Sequence, residues 1–306
     1  MSTHPERLLT IDDVALCAQA FGDPADPPVL LVAGTSCSMD WWTPDFCRQL
    51  AGHGYFVVRF DQRDTGRSTH DRPGEPSYTL GDLTADAVRV LDGYGLSSAH
   101  WVGFSQGGWI AQLAALDHPD RVRSLALLST RPTGHGPADA DLPEVSGKLM
   151  TAWQTPGPDP DWDDVDALTD YLVDGERLLA AEPFDDAAVR AICRNSVTRG
   201  ADVAAQLANH PMADQGPRWR ERLAEIAVPT LVLHGSDDPL FPPANGRALA
   251  AAIPNARFQE LAGVGHELPA RVHTIVIDAL TNGGHLPEAE VLRPGQRRAQ
   301  LRSAAG

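Results

Sequence analysis

The residues best suited to chemistry in this chain are a serine, an aspartate and a histidine, distant in sequence and each close to glycine. Ser105 stands in Gly103-Phe104-Ser105-Gln106-Gly107, after the strand-like run Ala99–Val102 and before an Ala-rich stretch from Gly108 to Leu116. This spacing predicts a sharp strand-to-helix corner with a strained backbone and an outward-facing hydroxyl. Small residues two before and two after the serine let strand and helix approach without a Cβ clash. A serine hydroxyl is a poor nucleophile at neutral pH, so it needs a base to take its proton and an acid to orient that base.

Two later segments offer those partners. An apolar run ending at Gly235 is followed by Asp237 and Asp238, and His266 sits in Leu261-Ala-Gly-Val-Gly-His266. Serine, acid and histidine thus occur in the chain order of α/β proteins built on such a corner, each at the C-terminal end of a strand. Asp238, which precedes Pro239, matches the Gly-x-x-Asp turn of such proteins, and Asp237 reads as a capping or solvent-facing residue. Some related folds place the acid after an earlier strand, but Ser129-Thr130-Arg131 carries no carboxylate there. His234 reads as a core or supporting residue, and His118 as the end of the helix after the nucleophile.

Cleavage of an ester places negative charge on the carbonyl oxygen, and each preorganised backbone N–H is worth about 2.7–4 kcal/mol there. Gln106 is one expected donor, at the positive end of its helix. Thr35 is the other, in the loop Gly34-Thr35-Ser36-Cys37-Ser38. Cys37 has no basic neighbour and reads as a small packing residue.

These residues require an α/β frame. Leu8–Ile11 and Val14–Ala20 read as an N-terminal hairpin, and Val29–Ala33, Phe56–Phe60, Trp101–Gly103 and Leu125–Ser129 as further strands. Leu80–Leu91 reads as a helix capped by Thr79 and Asp82. The alternation predicts a mostly parallel sheet with helices on both faces. Residues 131–160 are rich in Pro, Gly and Asp, and 163–226 read as helices without a clear strand. Strands resume at Pro229–His234 and Arg257–Leu261, and a helix runs from about Leu268 to Leu280. The expected organisation is therefore a core of residues 1–130 and 227–282, an inserted helical cap over 131–226, and a mobile tail over 283–306. Trp41, Trp42, Met150 and Trp153 are candidates to line a hydrophobic pocket over Ser105. Trp162, Phe184 and Trp219 are further cap aromatics that could line it or simply pack helices.

The 306 residues carry 25 Lys and Arg against 41 Asp and Glu, a net charge of −16. That balance argues against nucleic acid or an anionic membrane as a partner. There is no basic segment followed by an apolar run at the N-terminus, and no membrane-length apolar stretch. Cys17, Cys37, Cys47 and Cys193 form no metal spacing, so free thiols, a cytoplasmic location, no metal and no cofactor are expected.

Several stretches together resemble the α/β-hydrolase superfamily with a helical cap, and within it the aclacinomycin methylesterase group. They are Phe21–Val32, Phe60–Ser68, Leu116–Arg121, Pro183–Ala187 and Gly263–Pro269. The resemblance implies Ser105 as nucleophile, Asp238 as acid and His266 as base, and cleavage of a methyl ester of a bulky, polyketide-derived substrate. Thr35 falls where that group has an oxyanion glycine, and the cap matches least. Asp61–Ser68 reads as a structural turn, with Asp61 and Arg63 bonding loop backbone. The same triad also serves lactone, C–C bond and peptide hydrolysis. Epoxide hydrolysis and dehalogenation would need an aspartate at position 105. A purely ligand-binding protein on this scaffold would typically have lost a triad member.

Overall fold

The computed structural model describes residues 2–134 and 136–281, and the tail expected over 283–306 lies outside them. Eight strands form one sheet. They are β1 (Arg7–Ile11), β2 (Val14–Phe21), β3 (Pro28–Val32), β4 (Phe56–Phe60), β5 (Ala99–Phe104), β6 (Val122–Leu128), β7 (Thr230–Gly235) and β8 (Arg257–Leu261). Their order is β1-β2-β4-β3-β5-β6-β7-β8. β1 and β2 form the antiparallel hairpin, β2 pairs antiparallel with β4, and every later pairing is parallel. The strand runs coincide with the sequence reading to within a few residues at each end.

The apolar runs of the central strands serve two cores. In β3, Leu30 and Val32 face one core and Val29 and Leu31 the other, as the two-residue period of a strand requires. The first core is closed by α2 (Leu80–Gly93), α3 (Gln106–Asp117) and α8 (Ala244–Ala252), through residues such as Leu83, Trp109 and Leu249. The second is closed by α1 (Pro44–Gly52) and α9 (His273–Thr281), through Phe46, Leu50, Val276 and Ile277. The capping box expected at α2 is formed: Thr79 Oγ1 accepts from the Asp82 N–H and the Asp82 carboxylate accepts from the Thr79 N–H.

Between β6 and β7 lie α4 (Gly147–Gln154), α5 (Val165–Leu179), α6 (Asp186–Arg199) and α7 (Val203–Met212), followed by a short 3-10 segment Arg220–Glu225. α4 lies inside the Pro, Gly and Asp-rich stretch 131–160, where the sequence reading named no individual helix. The helix is only eight residues long, is started by Ser146, whose Oγ accepts from the Leu149 N–H, and buries little besides Leu149. So short an apolar stripe leaves no clear helical period in the sequence.

Candidate active site

Ser105 occupies the corner between β5 and α3 with φ +53° and ψ −119°, a region that L-residues rarely adopt. Two close approaches hold it there. A Cβ on Gly103 would stand 2.2 Å from the Gly107 carbonyl oxygen, and one on Gly107 would stand 2.2 Å from the Val32 carbonyl oxygen. The serine backbone is pinned as well: its N–H donates to the Leu128 carbonyl, and its carbonyl accepts from Thr130 Oγ1 at 2.8 Å.

The structure brings Ser105, His266 and Asp238 together. Ser105 Oγ lies 2.9 Å from His266 Nε2, and His266 Nδ1 lies 2.8 Å from Asp238 Oδ2. With the carboxylate accepting from Nδ1–H, Nε2 is the lone-pair nitrogen that faces the serine hydroxyl. Asp238 Oδ1 accepts from the backbone N–H groups of Leu240 and Phe241, at 2.9 and 2.8 Å. Burial alone would raise this carboxyl, but the facing His266 and the hydrogen bonds from His234 and His266 hold it below the usual carboxylate range. His234 Nε2 stands 3.4 Å from Asp238 Oδ2 and 2.6 Å from the Phe241 carbonyl, so it supports the acid's turn. The His266 ring is flanked by Phe104 and Phe241, at centroid distances of 5.0 and 5.3 Å. Asp237 is exposed, and its backbone N–H donates to the Val264 carbonyl.

The loop after β3 lies against the nucleophile: a Cβ on Gly34 would stand 3.3 Å from Ser105 Cβ. Thr35 lines the pocket that holds Ser105, and Gln106 is the first residue of α3, where helical N–H groups have no partner within the helix. Sequence reasoning missed that the cap shapes this loop. Gln206 Nε2 donates to the Ser36 carbonyl at 2.8 Å. The Ser36 N–H donates to His210 Nδ1 at 3.0 Å, and His210 Nε2 lies 2.7 Å from the Arg63 carbonyl. One ring nitrogen therefore accepts while the other donates, and the ring is neutral. Burial lowers its pKa in the same sense.

A pocket of about 100 Å³ beside Ser105 is lined by Thr35, Trp41, Phe104, Glu176, Leu179 and His266, among others. It adjoins a cleft of about 240 Å³ between α6 and the His266 loop, with Trp41 and Glu176 lining both. Of the four residues expected to bind substrate, Trp41 is at the pocket, stacked on Phe104. Trp42 is not: it is 0% exposed and packs into the core with Phe46, because the short 3-10 turn Met39–Trp41 sends successive side chains in different directions. Met150 and Trp153 sit on α4 at 40% and 49% exposure, and neither lines the Ser105 pocket. Trp219, by contrast, packs into the core with its indole N–H on Gln112.

The Asp61 turn also differs from expectation in one part. Asp61 accepts from the Met39 and Arg67 N–H groups, as read. Arg63 instead donates two bonds to Asp86 on α2, at 2.6 and 2.9 Å, because that carboxylate is buried and needs a cation. Asp61 further receives a two-pronged pair from Arg199 at the end of α6, at 2.7 and 2.6 Å, which ties the cap to the core. Among the described residues, no group of three or more His, Cys, Asp or Glu is arranged to hold a metal ion.

A serine on a strand-to-helix corner, bonded through histidine to a strand-end aspartate beneath a helical cap, defines a hydrolase of α/β type. A family model for the alpha/beta hydrolase fold matches residues 27–269, and the chain belongs to that family. It is 37% identical to rhodomycin D methylesterase DauP of Streptomyces sp. strain C5, over 88% of this chain and 94% of that protein. It is 36% identical to rhodomycin D methylesterase DnrP of Streptomyces peucetius, over the same shares. The solved esterase RhEst1 from Rhodococcus sp. ECU1013 has the same fold, with a TM-score of 0.70 at 23% identity, covering 92% of this chain and 100% of that one. These relatives put the chain among the carboxylic ester hydrolases.

Proposed function

We propose that this protein cleaves a methyl ester of a bulky aromatic or polyketide-like acid, with Ser105 as nucleophile, His266 as base and Asp238 as orienting acid. The observation that carries this reading is the continuous Ser105–His266–Asp238 hydrogen-bond chain, at 2.9 and 2.8 Å. His266 takes the hydroxyl proton as Ser105 Oγ attacks the ester carbonyl. The oxyanion is received by the N–H groups of Thr35 and Gln106, and Asp238 remains ionised beside the imidazolium. Methanol leaves with the proton from His266. Water then attacks the acyl-enzyme by the same route, which releases the acid and restores the serine.

The choice of a methyl ester is supported by the methylesterase relatives, and that of an aromatic acid by the Trp41–Phe104 wall of the pocket. The acidic balance and the four free cysteines support work on a small molecule, not a nucleic acid, in the cytoplasm. Among the described residues, no helix is long and apolar enough to cross a membrane.

The test is a panel of aromatic methyl esters, p-nitrophenyl esters and lactones, with acid product followed by mass spectrometry for the wild type and Ser105→Ala. Methanol release from bulky aromatic methyl esters, absent in Ser105→Ala, is expected. Ready turnover of p-nitrophenyl esters or lactones with the aromatic methyl esters untouched would overturn the substrate assignment.

A further inference from the structure

Glu176 is a carboxyl for which the reaction above has no use. It lies on α5 and lines the Ser105 pocket, the wider cleft outside it and a smaller recess beside Cys37. The other acids around the cleft have partners. Asp185 accepts from the Ala188 N–H, Asp45 from Gln49, and Glu267 from the Ala181 N–H and from Arg271. Among the described residues, nothing hydrogen-bonds or ion-pairs with the Glu176 carboxyl, and no Lys or Arg lines any of the three cavities. An unpaired carboxyl in a half-buried, largely apolar pocket is costly to keep. Its pKa reflects that cost: burial pushes it up to about 7, against an opposing pull from His266 and with a further push from Glu267.

The charge sequence of ester cleavage gives this carboxyl a consequence. The ester enters neutral. At the tetrahedral stage the oxyanion is balanced by the imidazolium of His266, so the site as a whole gains no net charge. Only the acid product, once its proton has passed to water, leaves an uncompensated negative charge in the pocket. We infer, resting on the ester-hydrolase reading of Ser105, that Glu176 is the charge-selecting residue of the acyl pocket. It admits neutral esters, disfavours acyl groups that carry a negative charge, and weakens binding of the carboxylate product so that the product leaves.

Protection of Ser105 from a fluorophosphonate probe tests this without a known substrate. The competitors are 1-naphthoate and its neutral isostere 1-naphthamide, used at pH 8.5 on the wild type and Glu176→Gln. In Glu176→Gln the naphthoate should protect about five- to tenfold more tightly, while naphthamide changes less than about twofold. A purely structural role would move both ligands together, and an unchanged naphthoate-to-naphthamide ratio overturns the inference.

Should Glu176→Gln not fold, Glu176→Ala takes its place at pH 6 and 8.5: naphthoate should tighten at pH 6 more in the wild type than in the variant, and an equal change in both overturns the inference. The groups facing Glu176 in that comparison are His266 and Glu267 after β8, Cys37 after β3, Cys193 on α6 and Asp185 at its N-cap, and Asp45 and His273 across the cleft. All are common to both proteins, so the difference between wild type and variant isolates Glu176 wherever both fold. If Ser105 takes no probe in either protein, the ester-hydrolase reading itself falls. If the probe labels Ser105 but neither ligand protects it, the pocket does not receive an aromatic acyl group, and the inference fails with that part of the proposal.

Discussion

On the sheet side of the site, each triad residue follows a parallel strand by a few positions, and backbone contacts fix its place. Ser105 is flanked by two glycines on which any Cβ would stand 2.2 Å from a backbone oxygen, and Asp238 is held by two backbone N–H groups. On the cap side polar side chains cross from one unit to the other, beside backbone bonds such as that of the Ala201 N–H to the Gly66 carbonyl. Arg199 reaches Asp61 and Asp40, Gln206 and His210 reach the loop after β3, and the Leu179 carbonyl accepts from the His266 N–H. The sheet side leaves the backbone at its strand-end corners little room to vary. The cap side can be edited one contact at a time, so positioning of the chemistry and selection of the substrate are physically separable here.

Removing the nucleophile should give the largest effect on the sheet side. Ser105→Ala should lower kcat on the order of 10⁴- to 10⁶-fold with Tm little changed, measured on the best ester of the panel. Asp238→Asn should cost about 10⁴-fold by leaving the imidazole in the wrong tautomer. The comparison breaks if either variant keeps substantial activity.

On the cap side, Arg199→Ala leaves the fully buried Asp61 without its cation and should cost about 3–5 kcal/mol in denaturant unfolding. If the cap selects substrate, KM should rise more than kcat falls. An equal loss in both would mean that the cap also sets the chemistry. His210→Ala strips an acceptor from the Ser36 N–H and a donor from the Arg63 carbonyl, and should cost about 2 kcal/mol. Its kcat should also drop, because Ser36 adjoins the expected oxyanion donor Thr35.

Glu176 predicts a smaller, pH-dependent effect. Its folded pKa of about 7 lies above the ordinary glutamate value, so the folded state binds this proton more tightly than the unfolded chain does. That contribution is fully present below about pH 4.5 and is lost as pH rises through 7. The Tm of wild type should therefore fall more between pH 5.5 and 8 than that of Glu176→Gln. The smallest effect is expected at Met150→Ala and Trp153→Ala, where exposure limits the change to about 0.5 kcal/mol with KM unaltered.

The same division governs what could be read from sequence. Ser105, Asp238 and His266 were legible because strand ends flanked by glycine announce their own geometry. Asp238 was separable from Asp237 because it, and not its neighbour, stands at the acid position of the Gly-x-x-Asp turn before Pro239. The central strands β3 to β7 were legible because they are almost wholly buried and read as largely apolar runs. Glu176, Arg199, Gln206 and His210 were not, since each gains its meaning from a partner more than a hundred residues away or from a cavity between two units. Trp41 and Trp42 are adjacent and identical in type, and only the 3-10 turn decides which of them meets the pocket.

The central claim is that Ser105 is an activated nucleophile held by His266 and Asp238. Intact-mass analysis after exposure to a fluorophosphonate probe tests it most directly, with wild type beside folded Ser105→Ala. The account predicts one adduct on the wild type, mapped to the peptide that contains Ser105, and none on the variant. Folded wild type that takes no adduct, or an adduct that persists in Ser105→Ala, would contradict it.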